Sequence, residues 1–220
     1  MQPIEDIKKI VILDTDDLSS TKTGFGLLLK MKEHYPQFKC TCFSSALDIS
    51  LFYKKIKVEN YRNWIKLIKQ HPWVEIAPHG FCHVKGDSMI KDENKTKAYV
   101  RAIENTFKLF DFPYVKVFKA PHWECSDAVE EALKEKNYVL AIDRNNPKVF
   151  TDIKTYIFNW SIDEKMPNYP VLKAHGHIHG TNNGLDVCYP NLLKLPTNTI
   201  FKTIGEYLKE NETTQDIIPT

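Results

Sequence analysis

The sequence predicts a single α/β domain whose mainly parallel sheet closes into a barrel. Three observations predict it. Short apolar segments alternate with helical ones, which is the pattern of parallel sheets. About seven strands can be read, more than a small sandwich needs. Titratable residues gather at the C-terminal ends of those strands, where barrels of this kind carry their chemistry. The 220 residues suit one domain, and no repeat, low-complexity stretch or Gly/Ser linker divides them.

Taken in order, the expected strands are Lys8–Leu13, Phe38–Phe43, Val74–Pro78, Val115–Lys119, Tyr138–Ile142, Tyr156–Asn159 and Val171–His175. All are rich in Val, Ile, Phe and Tyr and bounded by polar residues or proline. Helices are expected between them. Thr23–His34 carries Phe25, Leu28, Leu29 and Met31 on one side. Tyr61–Gln70 carries Trp64, Ile65, Leu67 and Ile68, and Thr96–Phe110 carries Val100, Ile103, Phe107 and Phe110. Asp127 reads as an N-cap whose capping box is completed by Glu130. A last helix is expected over Thr199–Leu208, followed by a polar, fraying tail over residues 210–220.

Composition narrows the function. At 42% hydrophobic and 26% charged residues the chain is ordinary globular protein, neither disordered nor fibrous. A net charge of +2 is too small to imply a nucleic-acid or membrane partner. Lysines are mixed with acids, as in Lys91-Asp92-Glu93-Asn94-Lys95, which reads as a solvated helix face. Met1 to Lys9 is polar, and the apolar run Ile10–Leu13 is too short for the core of a secretory leader. No stretch reaches the roughly 18–20 apolar residues of a membrane span. Five cysteines without framework spacing read as reduced thiols, so a cytoplasmic protein is expected. Cys40-Thr41-Cys42 has no matching second pair and does not read as a zinc knuckle.

The polar strand ends carry the chemistry. The first strand runs into Asp14-Thr15-Asp16-Asp17, the third into His79-Gly80-Phe81-Cys82-His83, and the fourth into Lys119-Ala120-Pro121-His122-Trp123. The fifth is followed by Asp143-Arg144, and the last by His175-Gly176-His177-Ile178-His179. Six of the eight histidines lie in three of these segments. Adjacent Asp16 and Asp17 repel unless a cation or donors neutralise them. One carboxylate can bind a metal while the other takes a proton from the attacking water; alone, the pair would also serve as turn or N-cap residues before Ser19 and Ser20. His79 and His83, four apart, would share one face of a helical turn and reach one ion, with Gly80 easing entry into that turn. Without a metal they would be a surface turn. Two imidazoles and a carboxylate form an open facial site, the ligand logic of catalytic zinc and of non-haem iron.

His175, His177 and His179 alternate at period two and would point to one side of a strand. One would act as a general acid, or they would cap the strand; five histidines in two segments also leave room for a second metal. Lys119 and Asp143 would orient the catalytic carboxylate and histidine, or be ordinary strand-end charges. Pro121, His122 and Trp123 would line the substrate, with Trp123 an apolar wall for a sugar ring or else a core residue. Cys82 reads as a small buried residue.

Thr15-Asp16-Asp17 after a strand, His79-x-x-x-His83, Lys119-Ala120-Pro121 and the final histidine-bearing strand together resemble the polysaccharide deacetylase family, of the carbohydrate esterase family 4 type. The motifs follow the family's order across residues 13 to 179. The resemblance implies a distorted (β/α)7 barrel that removes the acetyl group of an N-acetylated sugar. It implies Asp17, His79 and His83 as ligands of a divalent metal, most simply zinc, with cobalt, nickel, manganese or iron as alternatives. Asp16 would be the base, held by Lys119. Asp143 would tune the acid, which is His177 or His175, with His177 slightly favoured. Three departures stand out. Leu18 replaces a glycine, lysine replaces an arginine at 119 and loses its bidentate fork, and the His-Gly-His-Ile-His run replaces a single histidine. Two other readings remain open: a metal-dependent amidase acting on a non-carbohydrate small molecule, and a barrel that only binds carbohydrate.

Overall fold

A computed structural model describes residues 8–21, 24–48, 51, 53, 55–145, 148–178 and 182–215. Among them the elements are β1 (Ile10–Asp16), α1 (Phe25–His34), β2 (Cys40–Ser44), α2 (Val58–Lys69), β3 (Val74–Pro78), α3 (Glu93–Leu109), β4 (Val117–Lys119), α4 (Asp127–Glu135), β5 (Val139–Ile142), β6 (Thr155–Ile157), β7 (Trp160–Ser161), β8 (Val171–His177), α5 (Leu185–Leu192), β9 (Ile200–Phe201) and α6 (Ile204–Gln215). A single 3-10 turn covers Pro121–Trp123.

Among the described residues every strand pairing is parallel. One sheet runs β3-β2-β1-β8-β7, with β9 beside the start of β1, and a second runs β4-β5-β6. Two seams join the sheets. At the first, the Val115 N–H donates to Ile76 O at 2.9 Å, beside β3 and β4. At the second, Asn159 bridges β6 and β7: its N–H donates to Lys173 O (3.1 Å), its Nδ2 donates to Val171 O (3.0 Å), and its Oδ1 accepts from Lys173 N (2.8 Å). The segment from β6 to β7 thus leaves β5 and joins β8 as one bent stave. Counted so, the ring has seven staves, the distorted (β/α)7 barrel expected from the sequence.

Period-two alternation sorts each strand into two layers. Val11, Leu13, Cys40, Cys42, Val74, Ile76, Phe118, Leu172 and Ala174 face the helices. Ile12, Phe43, Ala77, Val117, Ala141 and Tyr156 fill the barrel, and Ile204 with Tyr207 and Leu208 of α6 closes its lower end. Helix α2 covers the sheet with Tyr61, Ile65 and Ile68, and α3 with Tyr99, Val100, Ile103 and Phe107. Each such large apolar side chain contributes about 1.5–3 kcal/mol on burial. Cys40 and Cys42 lie buried on one side of β2 with their sulfurs 3.9 Å apart, as reduced thiols.

Several sequence expectations shift. Ser126, not Asp127, caps α4, its hydroxyl accepting from the Val129 N–H at 3.2 Å. Glu130 is therefore not the far half of a capping box. It is buried, and its Oε2 accepts from the Phe150 N–H (2.8 Å) and the Thr151 N–H (3.1 Å). Asp92 caps α3 through Lys95 N (2.9 Å), so Lys91 and Asp92 precede the solvated helix face. The expected helix Thr199–Leu208 is β9, a link, and then α6, because Ile200 and Phe201 complete a ladder along β1 that a periodicity reading does not see. Helix α5 is not among the expected elements, since Pro190 interrupts its pattern. Thr23, residues 1–7 of the polar N-terminal stretch, His179 and the tail from 216 lie outside the described residues. Among the described residues no helix is long and apolar enough to cross a membrane.

Candidate metal centre and active site

The upper end of the barrel collects the polar strand ends. On β1, Asp14 and Asp16 point inward while Thr15 points to the helix layer, where its hydroxyl meets the Cys42 sulfur at 3.3 Å. The chain then turns through Asp17, whose φ is +67°. This left-handed residue sends its carboxylate across the rim rather than along the strand.

His79 and His83 do meet, but not on a helical turn. The segment after β3 is an irregular loop with Gly80 at φ +74° and His83 at φ +57°. Asp87 holds it, Oδ2 accepting from Phe81 N (2.7 Å) and Cys82 N (3.2 Å), while the Ala46 N–H donates to Gly80 O (3.1 Å). A Cβ at Gly80 would stand 2.4 Å from Asp87 Oδ2 and 2.6 Å from Pro121 Cγ, so only glycine fits between the two histidines. The rings lie 4.8 Å apart. His79 Nδ1 sits 2.9 Å from Lys119 O, which fixes its proton there and turns Nε2 towards the carboxylates. His83 Nε2 is 3.2 Å from Asp17 Oδ1, and His79 Nε2 is 4.0 Å from the same atom. One ligand atom from each of Asp17, His79 and His83 lies within 4.8 Å of the others.

Lys119 ends β4 inside the barrel and is fully buried. Its ammonium contacts Asp14 Oδ1 at 2.5 Å and Asp16 Oδ1 at 2.6 Å. Three rings surround it, with centroids at 4.0 Å (Phe43), 4.4 Å (Phe158) and 5.1 Å (Trp123). Burial by itself would raise the Asp16 pKa; Lys119, with His79, His175 and His177, outweighs it and holds this carboxyl well below the usual carboxylate range. Burial pushes the His79 imidazole down to about 4 against the pull of Asp16, so it is neutral near pH 7 with a lone pair on Nε2.

His175 and His177 project to the same side of β8, rings 5.2 Å apart. Their surroundings differ. His175 is buried, with Nδ1 3.0 Å from Asp14 Oδ1 and 3.2 Å from Lys119 Nζ. His177 is about a quarter exposed; its Nδ1 faces Asn183 Oδ1 at 2.8 Å and its Nε2 lies 3.9 Å from Asp16 Oδ2. The strand ends at His177, and His179, the third of the run, lies outside the described residues. Both rings open onto a recess of about 200 Å³ lined also by Trp123, Asp143, Trp160, Ser161 and Asn183.

Asp143 lies on that rim, but its carboxylate accepts from the Asn145 N–H at 2.8 Å and so closes a turn. Trp123 serves both readings at once, packing edge-on against His175 (5.2 Å) and Phe158 (5.8 Å) while walling the recess. Pro121 is buried against Gly80, and exposed His122 brings its ring to 5.1 Å from His83. His122 and Trp123 both have positive φ, +56° and +62°. With Asp17 and His83, that puts four of the strained backbone positions around one site.

Two residues escaped the sequence reading. Asp14 could have been found, since it shares the inward face of β1 with Asp16. Asn183 gave no signal, because it reaches His177 from a loop. Asp16, His175 and His177 also lie within 4.8 Å as a second cluster of potential ligands. Lys119 already holds Oδ1 of Asp16, and a second divalent ion beside that ammonium would be repelled. The first cluster fits a cation better. Asp14, Asp16 and Asp17 against Lys119 leave a surplus of two negative charges, which one divalent ion balances.

No family model matches the sequence, and no curated protein matches it. Solved structures do. The peptidoglycan deacetylase PdaC from Bacillus subtilis superposes with a TM-score of 0.62 at 12% identity, over 96% of this chain and 96% of that one. A family 4 acetyl xylan esterase from Clostridium thermocellum, solved with a cobalt ion, gives 0.58 at 14% identity, over 93% and 92%. A family 4 pseudoenzyme from Bacillus anthracis gives 0.56 at 16% identity, over 91% of this chain and 66% of that one. The chain has the fold of the carbohydrate esterase family 4 deacetylases.

Proposed function

We propose that this protein is a metal-dependent deacetylase that hydrolyses the amide of an N-acetylated sugar or a closely related small amide. One observation carries the reading: Asp17, His79 and His83 converge within 4.8 Å at the barrel rim, with Asp16 and His177 beside them. A fold shared with a pseudoenzyme does not imply catalysis, so the weight rests on this site.

Asp17 and the Nε2 atoms of His79 and His83 would hold a divalent ion, with zinc the best match to two imidazoles and a carboxylate. Bound there, it would supply Lewis acidity to the substrate carbonyl and to the attacking water. The chain supplies the rest. Asp16, ionised across the neutral range, accepts the water's proton on Oδ2, since Oδ1 is held by Lys119. Lys119 keeps that carboxylate aimed at the rim. His177 donates a proton from Nε2 to the departing amine, while the inner position of His175 suits it to support Asp14 and Lys119. Trp123 walls the recess in which the acyl group would lie, next to both histidines.

Elemental analysis of purified protein, with His79→Ala alongside, tests the centre. About one equivalent of zinc or a similar ion per chain, lost in the variant, is expected. Acetate release from N-acetylated sugars, measured against ammonia release, then tests the reaction. Protein that binds no metal after reconstitution would overturn the proposal, and loaded protein that releases ammonia but no acetate would replace it with the amidase.

A further inference from the structure

His177 is the end of a chain of hydrogen bonds whose direction can be deduced. Ser161 Oγ lies 2.5 Å from Asp163 Oδ1, and Asn183 Nδ2 lies 3.4 Å from Ser161 Oγ. A carboxylate only accepts, so the Ser161 hydroxyl donates to Asp163 and receives from an N–H. This turns the Asn183 amide so that its NH2 faces Ser161 and its oxygen faces His177. An amide oxygen also only accepts, so the His177 nitrogen 2.8 Å away, Nδ1, carries a proton. The backbone locks the same contact. The His177 N–H donates to Asn183 O at 3.0 Å, and Gly184 bridges to His177 as a parallel pair.

We propose that Asn183, aligned by Ser161 and Asp163, is a positioning residue that confines the exchangeable proton of His177 to Nε2. The inference rests on the deacetylase reading. As the C–N bond breaks, the imidazolium gives its Nε2 proton to the amine nitrogen. The ring is left neutral with its remaining proton on Nδ1, held by Asn183 Oδ1. Without that acceptor the neutral ring samples both tautomers and can turn in its recess, and a ring with Nδ1 bare towards the loop takes up its exchangeable proton there, away from the substrate. A neutral amide does this without adding charge to a rim that already holds Asp143, Asp163 and Glu164 against Arg144. His175 lies deeper: it is buried, and its Nδ1 faces Asp14 and Lys119 inside the barrel rather than Asn183.

The test reads the tautomer first. Long-range 15N–1H spectra of metal-loaded protein, with the His177 signals assigned by their loss in His177→Asn, should show Nδ1 protonated at neutral pH. In Asn183→Ala the signals should move to a mixture of tautomers, and in Asn183→Asp return to the Nδ1–H form. Turnover of an N-acetylated sugar should fall about 10- to 100-fold in Asn183→Ala, with KM and metal content within about twofold, and largely recover in Asn183→Asp. An Nε2–H tautomer in the parent protein, an unmoved tautomer in Asn183→Ala, or a moved tautomer with unchanged kcat would each overturn the role of Asn183. The spectra need no substrate, so a chain that releases no acetate while showing the expected tautomers would refute the deacetylase reading alone.

Discussion

Lys119 reaches Asp16 at 2.6 Å while sharing its ammonium with Asp14 at 2.5 Å, in a space from which water is excluded. A lysine offers no fork, so it cannot clamp one carboxylate through two bonds as an arginine does. Here two carboxylates, two residues apart on one strand, converge on a single nitrogen. The second carboxylate and the three surrounding rings replace the missing donors in fixing where that nitrogen sits.

Removing the ammonium strands a buried charge. Lys119→Met should destabilise the protein by about 3–5 kcal/mol, read from denaturant unfolding. Adding Asp14→Leu should recover part of that loss, because it removes one of the two uncompensated carboxylates, without restoring turnover. Equal stabilities of Lys119→Met and the parent chain would show that the ion pair is not made.

Asp16→Asn separates binding from proton transfer. The amide keeps the shape of the side chain and cannot take a proton. Metal content should stay near one equivalent while kcat falls by about 10²- to 10⁴-fold, the range of a lost general base. Normal turnover would remove Asp16 from that role.

Gly80→Ala should loosen the metal centre from beneath. The backbone there has φ +74°, and the new methyl would collide with Asp87 Oδ2 and Pro121 Cγ. A stability loss of about 1–3 kcal/mol is expected, with weaker metal binding in calorimetric titration. Unchanged metal affinity would mean that the His79–His83 loop tolerates displacement.

Glu130 predicts a pH effect away from the site. Burial raises its pKa above the usual carboxylate value, against the pull of the Phe150 and Thr151 N–H groups. The folded state therefore resists ionisation. That cost is absent below the unfolded pKa and grows as pH rises through the folded one. Glu130→Gln keeps an acceptor for those N–H groups and should unfold later than the parent at pH 7, with the difference vanishing near pH 4. A difference that grows on acidification would have the wrong sign.

The sequence by itself determined the staves and the chemistry they carry. Val74–Pro78 is read to the residue, and the other long strands to within a few, because a segment buried on both faces is apolar throughout whatever its neighbours are. Asp16, Asp17, His79 and His83 were legible because they follow such strands. The tertiary structure decided what no local pattern encodes. The bend at Asn159 joins two sheets through side-chain bonds to β8, and β9 exists only because β1 has a free edge beside β2. Glu130 looks like a capping residue until the 148–151 segment folds over it. The division between His175 and His177 is of the same kind. Both alternate identically on one strand, and only partners 161 residues earlier and 6 residues later send one to the interior and the other to the recess. Period and propensity are properties of neighbouring residues; a hydrogen-bond partner is a property of where distant ones arrive.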